Sequence, residues 1–251
     1  MRYFFEIVYQ GGNYNGWQSQ PNTNVIGIQS VVERAFSKIL QEEIKIVCSG
    51  RTDTGVHCAQ QFFHADIEKG FETGQLLLKL NIFLPKDIAI KTIHKVKPAC
   101  SARYDAIERT YKYQITRVKN PFLEGLAWHY FKPVNVQTMN KATSLLVGEH
   151  DFECFSKVNT DVNHFLCNIK KAEWKEEGQL LIFTITANRF LRGMVRAIIG
   201  TLLDVGTGKT SMKEFQAIIH SKDRKKAGAN VPPQGLYLTK VKYPSRIFMK
   251  Q

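Results

Sequence analysis

A chain of 251 residues, 43% of them hydrophobic, is long enough to bury a substantial core in one large domain or two small ones. No run of about 18 apolar residues occurs, so no membrane-crossing helix is expected. The start, Met1-Arg2-Tyr3-Phe4-Phe5-Glu6, meets a charge too early for a signal peptide, and a cytoplasmic protein is expected. The formal net charge is +13 and unevenly spread: 11 Lys+Arg face 9 Asp+Glu in residues 1–100, and 24 face 13 thereafter. Such an excess suits a polyanionic partner, first of all nucleic acid. The five cysteines, Cys48, Cys58, Cys100, Cys154 and Cys167, show neither a Cys-x-x-Cys pair nor zinc-ligand spacing. Free thiols in a reducing compartment are expected, and no metal.

Tyr3 to Tyr9 reads as a strand that Gly11-Gly12-Asn13 breaks. The loop Tyr14-Asn15-Gly16-Trp17-Gln18-Ser19-Gln20-Pro21 follows. Its aromatic and amide groups suit base stacking, and Trp17 equally suits an anchor that pins the loop to the core. Ile28, Val31, Val32, Ala35, Phe36 and Ile39 recur at helical spacing and predict a helix over 27–40. Strands are predicted over 44–48 and 61–66, flanking the loop Gly50 to Ala59. In that loop two glycines, Gly50 and Gly55, bracket the carboxylate of Asp53, with Arg51 two residues before it and His57 four after. An isolated Asp-Thr-Gly is ordinarily a turn. The aspartic-protease reading fails, since those enzymes need two carboxylates sharing a proton and only one such triplet is present. His57 and His64 lack metal-ligand spacing and read as structural.

Residues 73–84 predict a second helix with Leu76, Leu77, Leu80 and Phe83 on one face, ended by Pro85. A strand over 88–96 completes the order βαββαβ. That is the ferredoxin-like split βαβ unit: an antiparallel sheet, both helices on one face, the other face open as in RNA-recognition folds. The segment 97–106 reads as the crossing between halves, giving domains 1–100 and 101–251.

In the second half Arg109 to Ile115 alternates as a strand with Tyr111 and Tyr113 on one face. Residues 127–131 are a candidate partner strand, and Val136, Met139, Ala142, Leu145 and Leu146 mark a helix closed by Gly148. Phe152 and Phe155 read as core plugs before the loop Ser156 to His164. A hairpin is predicted from 165–174 and 179–187. Asn188 to Gly200 is helical in period, which would set Arg189, Arg192 and Arg196 near one stripe. A short helix over 213–220 precedes the basic cluster Lys222, Arg224, Lys225 and Lys226, a solvated face or a phosphate contact. The run Pro232 to Leu238 leads a last strand.

The string Gly50-Arg51-Thr52-Asp53-Thr54-Gly55-Val56-His57 resembles the nucleophile motif of the tRNA pseudouridine synthase A family. Tyr14-x-Gly16-Trp17-Gln18-x-Gln20, Ser101 to Ala106, Gly148-x-x-Asp151-Phe152-x-x-Phe155, Phe190-x-x-x-Met194-Val195-Arg196 and Gly235-Leu236-Tyr237-Leu238 resemble further family segments. The resemblance runs from Tyr3 to Pro244. It implies an α+β fold of two ferredoxin-like, RRM-like halves with a basic active-site cleft between them. It also implies an isomerase that converts uridine to pseudouridine in the anticodon stem-loop of tRNA, without a cofactor, as a homodimer.

By the same resemblance Asp53 is the essential carboxylate, Tyr111 stacks on the base with its hydroxyl a candidate for removing the C5 proton, and Arg196 pairs with Asp53, with Arg192 the competing choice. Arg103 would contact tRNA, and the loop Ser156 to His164 would help grip it. Relatives often carry arginine in that loop, where this chain has Lys157, Asn163 and His164. Arg51 is a phosphate or a structural ligand. The carboxylate could attack C1′, attack C6 of the base, or assist loss of a sugar proton. A catalytically silent RNA-binding protein on the same fold, and a synthase with another RNA target, are the competing readings. A phosphate-cradling hydrolase is remote, because no Gly-x-x-x-x-Gly-Lys loop occurs.

Overall fold

The computed structural model describes residues 1–18, 26–158 and 162–249. In chain order the elements are β1 (Arg2–Tyr9), α1 (Ile28–Leu40), β2 (Ile46–Cys48), β3 (His57–Asp66), α2 (Thr73–Phe83), β4 (Ile88–Lys95) and β5 (Glu108–Thr116). Then come β6 (Trp128–His129), α3 (Val136–Ser144), β7 (Gly148–Asp151), β8 (Leu166–Glu177), β9 (Leu180–Ala187), α4 (Met194–Gly206), α5 (Met212–Ser221) and β10 (Leu236–Lys242). The chain forms two compact units, Met1–Ile107 with Tyr237–Gln251, and Glu108–Leu236.

In the first unit β1 lies between β3 and β4, antiparallel to both. The other edge of β3 is shared. Its later part pairs antiparallel with β2, and its start pairs parallel with β10 through Tyr237 opposite His57 and Leu238 opposite Cys58. The closing strand expected in the second half therefore belongs to the first unit, and the break in the chain falls after Ile107 rather than at residue 100.

Side chains alternate across these strands. On one face Phe5 and Phe63 stack at 5.0 Å, and Phe36 of α1 meets both edge-on. Ile28, Val31, Val32, Ala35 and Phe36 are buried as the helical period requires, with Leu40 taking the inward position rather than Ile39. Helix α2 packs beside α1 and against β4. It buries Leu76 and Leu80 but leaves Phe83 exposed, contrary to the predicted apolar face; Leu84, just past the helix, turns inward instead. The Glu72 carboxylate caps α2, accepting from Gly74 N–H at 2.8 Å and Gln75 N–H at 2.6 Å.

The opposite face was expected to stand open. Part of it is covered by an aromatic cluster in which Tyr243, just after β10, meets Phe4 at 5.3 Å and Phe62 at 5.4 Å, and Phe248 meets His94 at 5.2 Å. The open face implied by the element order is thus partly closed, because nothing in that order shows the segment after β10 returning to cover it.

The second unit orders its strands β5-β9-β8-β7, all antiparallel, with two-residue β6 parallel to β5. The hairpin β8–β9 turns at Gly178, whose φ of +59° suits glycine. Asn140 of α3 pins the helix to β8: its side chain donates to Trp174 O at 3.0 Å and accepts from Trp174 N–H at 2.8 Å. Helix α3 ends at Ser144, and Gly148 opens β7 rather than closing the helix.

The largest departure concerns the arginine segment. Residues 188–193 are not helical; α4 starts at Met194, after Gly193 in the left-handed region at φ +73°, and runs to Gly206. Arg189 and Arg192 therefore precede the helix, and the expected stripe does not form. Phe190 and Met194 happen to sit at helical spacing, and the turn at Gly193 leaves no trace in hydrophobic period. Among the described residues no helix is long and apolar enough to cross a membrane.

Candidate active site

The Asp53 loop is built against the segment that follows β1. Ser49 N–H donates to Phe62 O at 2.8 Å, carrying the β2–β3 pairing to the loop's edge. Thr52 is then fixed twice. Its hydroxyl shares a 2.8 Å hydrogen bond with the Tyr9 hydroxyl, and its carbonyl accepts from Trp17 N–H at 3.1 Å. Gly55, at φ +76°, turns the chain and donates its N–H to Tyr14 O at 3.4 Å. Thr54 Oγ1 donates to Asn15 Oδ1 at 2.6 Å. Val56 N–H closes the turn on Asp53 O at 3.2 Å. The result is a half-buried Asp53 on a backbone with little freedom left.

The two segments cross so closely that side chains are excluded at the crossing. A Cβ on Gly16 would lie 2.4 Å from Thr52 O, and one on Gly11 would lie 2.0 Å from Val56 O. Gly11 N–H also donates to His57 Nδ1 at 3.1 Å, and the His57 ring stacks on Tyr237 at 4.6 Å. His57 is therefore a buried strut at the base of the loop. Trp17, open between stacking and anchoring, is an anchor: it is 1% exposed and tilts against Tyr9 and Phe63. Tyr14 is buried too, donating its hydroxyl to Asp87 at 2.6 Å. Ser19, Gln20 and Pro21 of this motif lie outside the described residues.

Arg51 and Arg103 are both exposed. Burial pushes the Cys48 thiol up to about 11, opposed first by a backbone hydrogen bond at Gly50 and more weakly by the Arg51 and Arg103 cations. A thiol so raised is protonated near neutral pH and is no nucleophile. Arg103 is placed by a clamp on its neighbour. Ala102 N–H donates to His64 Nδ1 at 3.1 Å, and Ala102 O accepts from the Tyr243 hydroxyl at 2.5 Å. Burial, and then the Arg2 cation, hold the His64 imidazole below its ordinary value, which keeps it an acceptor.

In the second unit Tyr111 on β5 is half-buried, its ring edge-on to Phe190 at 5.2 Å. Tyr113, on the same strand face, is fully buried and donates its hydroxyl to Pro232 O at 2.8 Å. Arg196 sits in the first turn of α4; its Nε donates to Val231 O at 2.6 Å, and its own carbonyl accepts from Val231 N–H at 3.3 Å. Arg192 is exposed, and its carbonyl accepts from Lys157 N–H at 2.9 Å. Asn163 and His164 are exposed, His164 facing Arg189 Nη1 at 3.2 Å. Residues 159–161 of the expected grip loop lie outside the described residues.

The basic cluster divides. Lys222 pairs with Asp151 at 2.8 Å, and Arg224 is occupied by backbone carbonyls, which leaves Lys225 and Lys226 on the surface. The sequence reading missed Phe190 as the partner of Tyr111 and the buttress role of Gly11 and Gly16. Only the glycines carried a visible signal, as residues that tolerate close backbone approach. Among the described residues no group of three or more His, Cys, Asp or Glu could hold a metal ion.

The sequence profile of a family described as tRNA pseudouridine synthase matches residues 7–105 and 142–244. A "tRNA pseudouridine synthase A" of Porphyromonas gingivalis is 44% identical over 99% of both chains. One of Bacteroides fragilis is 44% identical over 98% of both, and one of Legionella pneumophila is 37% identical over all of this chain and 96% of its own. The chain belongs to the tRNA pseudouridine synthase A family. The matched spans of the synthase profile include Asp53, Arg103, Arg192 and Arg196, whereas Tyr111 falls between them.

Gly16→Ala forces an alanine to φ +78° against Thr52 O and is expected to cost about 1–3 kcal/mol in urea unfolding. Gly12→Ala, with no atom within 4 Å, is expected to change stability by less than about 0.5 kcal/mol. His64 contributes stability while neutral, so its contribution is complete above its ordinary value of 6.5 and declines as pH falls below it. Urea midpoints taken from about pH 7 to pH 5 should therefore fall more steeply for wild type than for His64→Gln.

Proposed function

We propose that the protein isomerises uridine to pseudouridine in the anticodon stem-loop of tRNA, with Asp53 as the catalytic carboxylate. What carries this reading is the Asp53 loop, half-buried and fixed by hydrogen bonds with Tyr9, Tyr14, Asn15 and Trp17 within the family's motif. A carboxylate that must meet one carbon of a bound nucleotide benefits from a backbone already in place.

The reaction breaks the N1–C1′ bond of uridine, turns the uracil, and joins C5 to C1′, while the C5 proton is lost and N1 gains one. Atoms and electrons are conserved within the nucleotide, so no cofactor is needed. Asp53 attacks C1′ or C6, or assists loss of a sugar proton, and each route uses its ionised form. A dry base pocket opposes ionisation, and a fixed cation restores it. We assign that cation to Arg196. Its Nε is held by Val231 O at 2.6 Å on the first turn of α4, whereas Arg192 is exposed ahead of the helix. Tyr111 stacks on the uracil, a contact worth about 1–3 kcal/mol per base. Phe190, edge-on to its ring, orients it.

The target base leaves its stack at a cost of a few kcal/mol. Contacts to the tRNA from Arg51, Arg103, Arg192, Asn163 and His164 offset that cost, in keeping with the +13 charge. The protein acts as a homodimer in the cytoplasm, as the family resemblance implies.

The reaction is tested by tritium release from 5-tritiated uridine in unmodified tRNA. Wild type should release tritium, and Asp53→Asn should release none while binding tRNA as tightly. Binding without release by wild type would leave an RNA-binding protein, and release by the variant would point to another carboxylate. Sedimentation equilibrium at micromolar concentration should return twice the 28.7 kDa chain mass; a single chain mass would remove the homodimer.

A further inference from the structure

The segment from Ala227 to Pro232 lies across α4 and is hydrogen-bonded to it at Gly228 and Val231. Gly228 N–H donates to Thr201 Oγ1 at 2.8 Å. Val231 exchanges two hydrogen bonds with Arg196, giving its N–H to the Arg196 carbonyl and accepting the side-chain Nε–H on its own carbonyl. Pro232 O accepts from the buried Tyr113 hydroxyl. The crossing is close: a Cβ on Gly200 would lie 1.9 Å from Ala229 O, and one on Gly228 would lie 2.8 Å from Thr201 N. The strap therefore has one seat on the helix, and the Arg196 guanidinium is held by that strap.

One cation of the basic cluster closes it. Arg224 Nη1 donates to Ala227 O at 3.3 Å and Gly228 O at 3.0 Å, and Nη2 donates to Asn230 Oδ1 at 2.9 Å. These partners bind the start and middle of the strap into one turn, next to Val231. The fork geometry is specific to arginine, since a lysine offers a point charge and cannot hold three separated acceptors in a plane. Its neighbour Asp223 fixes the approach by accepting Lys225 N–H at 2.9 Å. The sequence alone made this arginine one of four cations in a charge run.

We propose that Arg224 is a positioning residue for Arg196, acting through the Ala227–Pro232 strap, rather than a contact to tRNA. The inference rests on the assignment of Arg196 in the preceding section. Loss of the Arg224 fork loosens the Val231 carbonyl, and with it the guanidinium that Val231 O orients. A displacement of about 1 Å at a catalytic group is enough to lower the rate by up to roughly a hundredfold.

The experiment is single-turnover tritium release with saturating enzyme, alongside tRNA affinity as a function of salt, for Arg224→Lys, Asn230→Ala, Arg196→Met and the double variant Arg196→Met/Arg224→Lys. Thermal melts identify variants that are not folded at the assay temperature. Arg224→Lys should release tritium roughly ten- to a hundredfold more slowly, with tRNA affinity and its salt slope unchanged. Asn230→Ala removes one of the three acceptors from an exposed position and should show a smaller loss of the same kind, so the idea stays testable if Arg224→Lys folds poorly. In the double variant the Arg224 change should cost nothing beyond Arg196→Met, the signature of two residues acting as one unit. Equal, additive losses would overturn the proposal. So would a weaker affinity with a shallower salt slope and an unchanged rate, which would make Arg224 a phosphate contact. Full activity of Arg196→Met would instead overturn the assignment of Arg196, whatever Arg224 does.

Discussion

Everything proposed for the Asp53 loop depends on a backbone crossing at which no side chain fits. Gly11 and Gly16 press the Gly11–Trp17 segment against Thr52 and Val56, with carbonyl oxygens where a Cβ would be. Hydrogen bonding alone would leave such a loop with several arrangements of similar energy. Steric exclusion removes most of them, and the Thr52 contacts to Tyr9 and Trp17 select among the rest. Trp17, buried against Tyr9 and Phe63, ties the crossing to the aromatic core under α1. The order of dependence runs from core to buttress to loop to carboxylate.

The second unit uses the same construction for a cation. Gly200 and Gly228 let the strap lie directly on α4, and the strap's carbonyl at Val231 orients Arg196. In both places a side chain proposed to have a chemical task hangs on a segment fixed by a second, glycine-lined segment. Groups fixed before substrate arrives need not be ordered when it binds, which is the advantage of preorganisation in catalysis.

Much of this was legible in the amino acids, and the parts that were not share a cause. The period of Ile28, Val31, Val32, Ala35 and Phe36 fixes α1 and its inward face, and the alternation of Tyr111 and Tyr113 fixes their shared side of β5. Period reports only which face is apolar. It could not separate Trp17 as anchor from Trp17 as stacking platform, because both need an aromatic in a loop. It extended α4 backward through Phe190, since a left-handed turn at Gly193 leaves the spacing of apolar residues intact. Arg224 looked solvated because neighbouring charges, not the carbonyls it would meet, are what a sequence displays. The family motifs supplied what period could not, naming Asp53 and Arg196, but they say nothing of the strap or the buttress that hold them.

The return of β10 to the first unit also dictates an order of assembly during synthesis. Residues 1–107 leave the ribosome with the start of β3 lacking its parallel neighbour, and the His57 ring lacking Tyr237. The whole of Glu108–Leu236 is translated before that neighbour appears. The second unit can close on contacts within one continuous stretch, whereas the first must wait for a strand more than a hundred residues downstream. Long sequence separation of this kind slows folding. The nascent Asp53 loop thus completes its support last, and a chain interrupted before Tyr237 lacks the ring on which His57 rests.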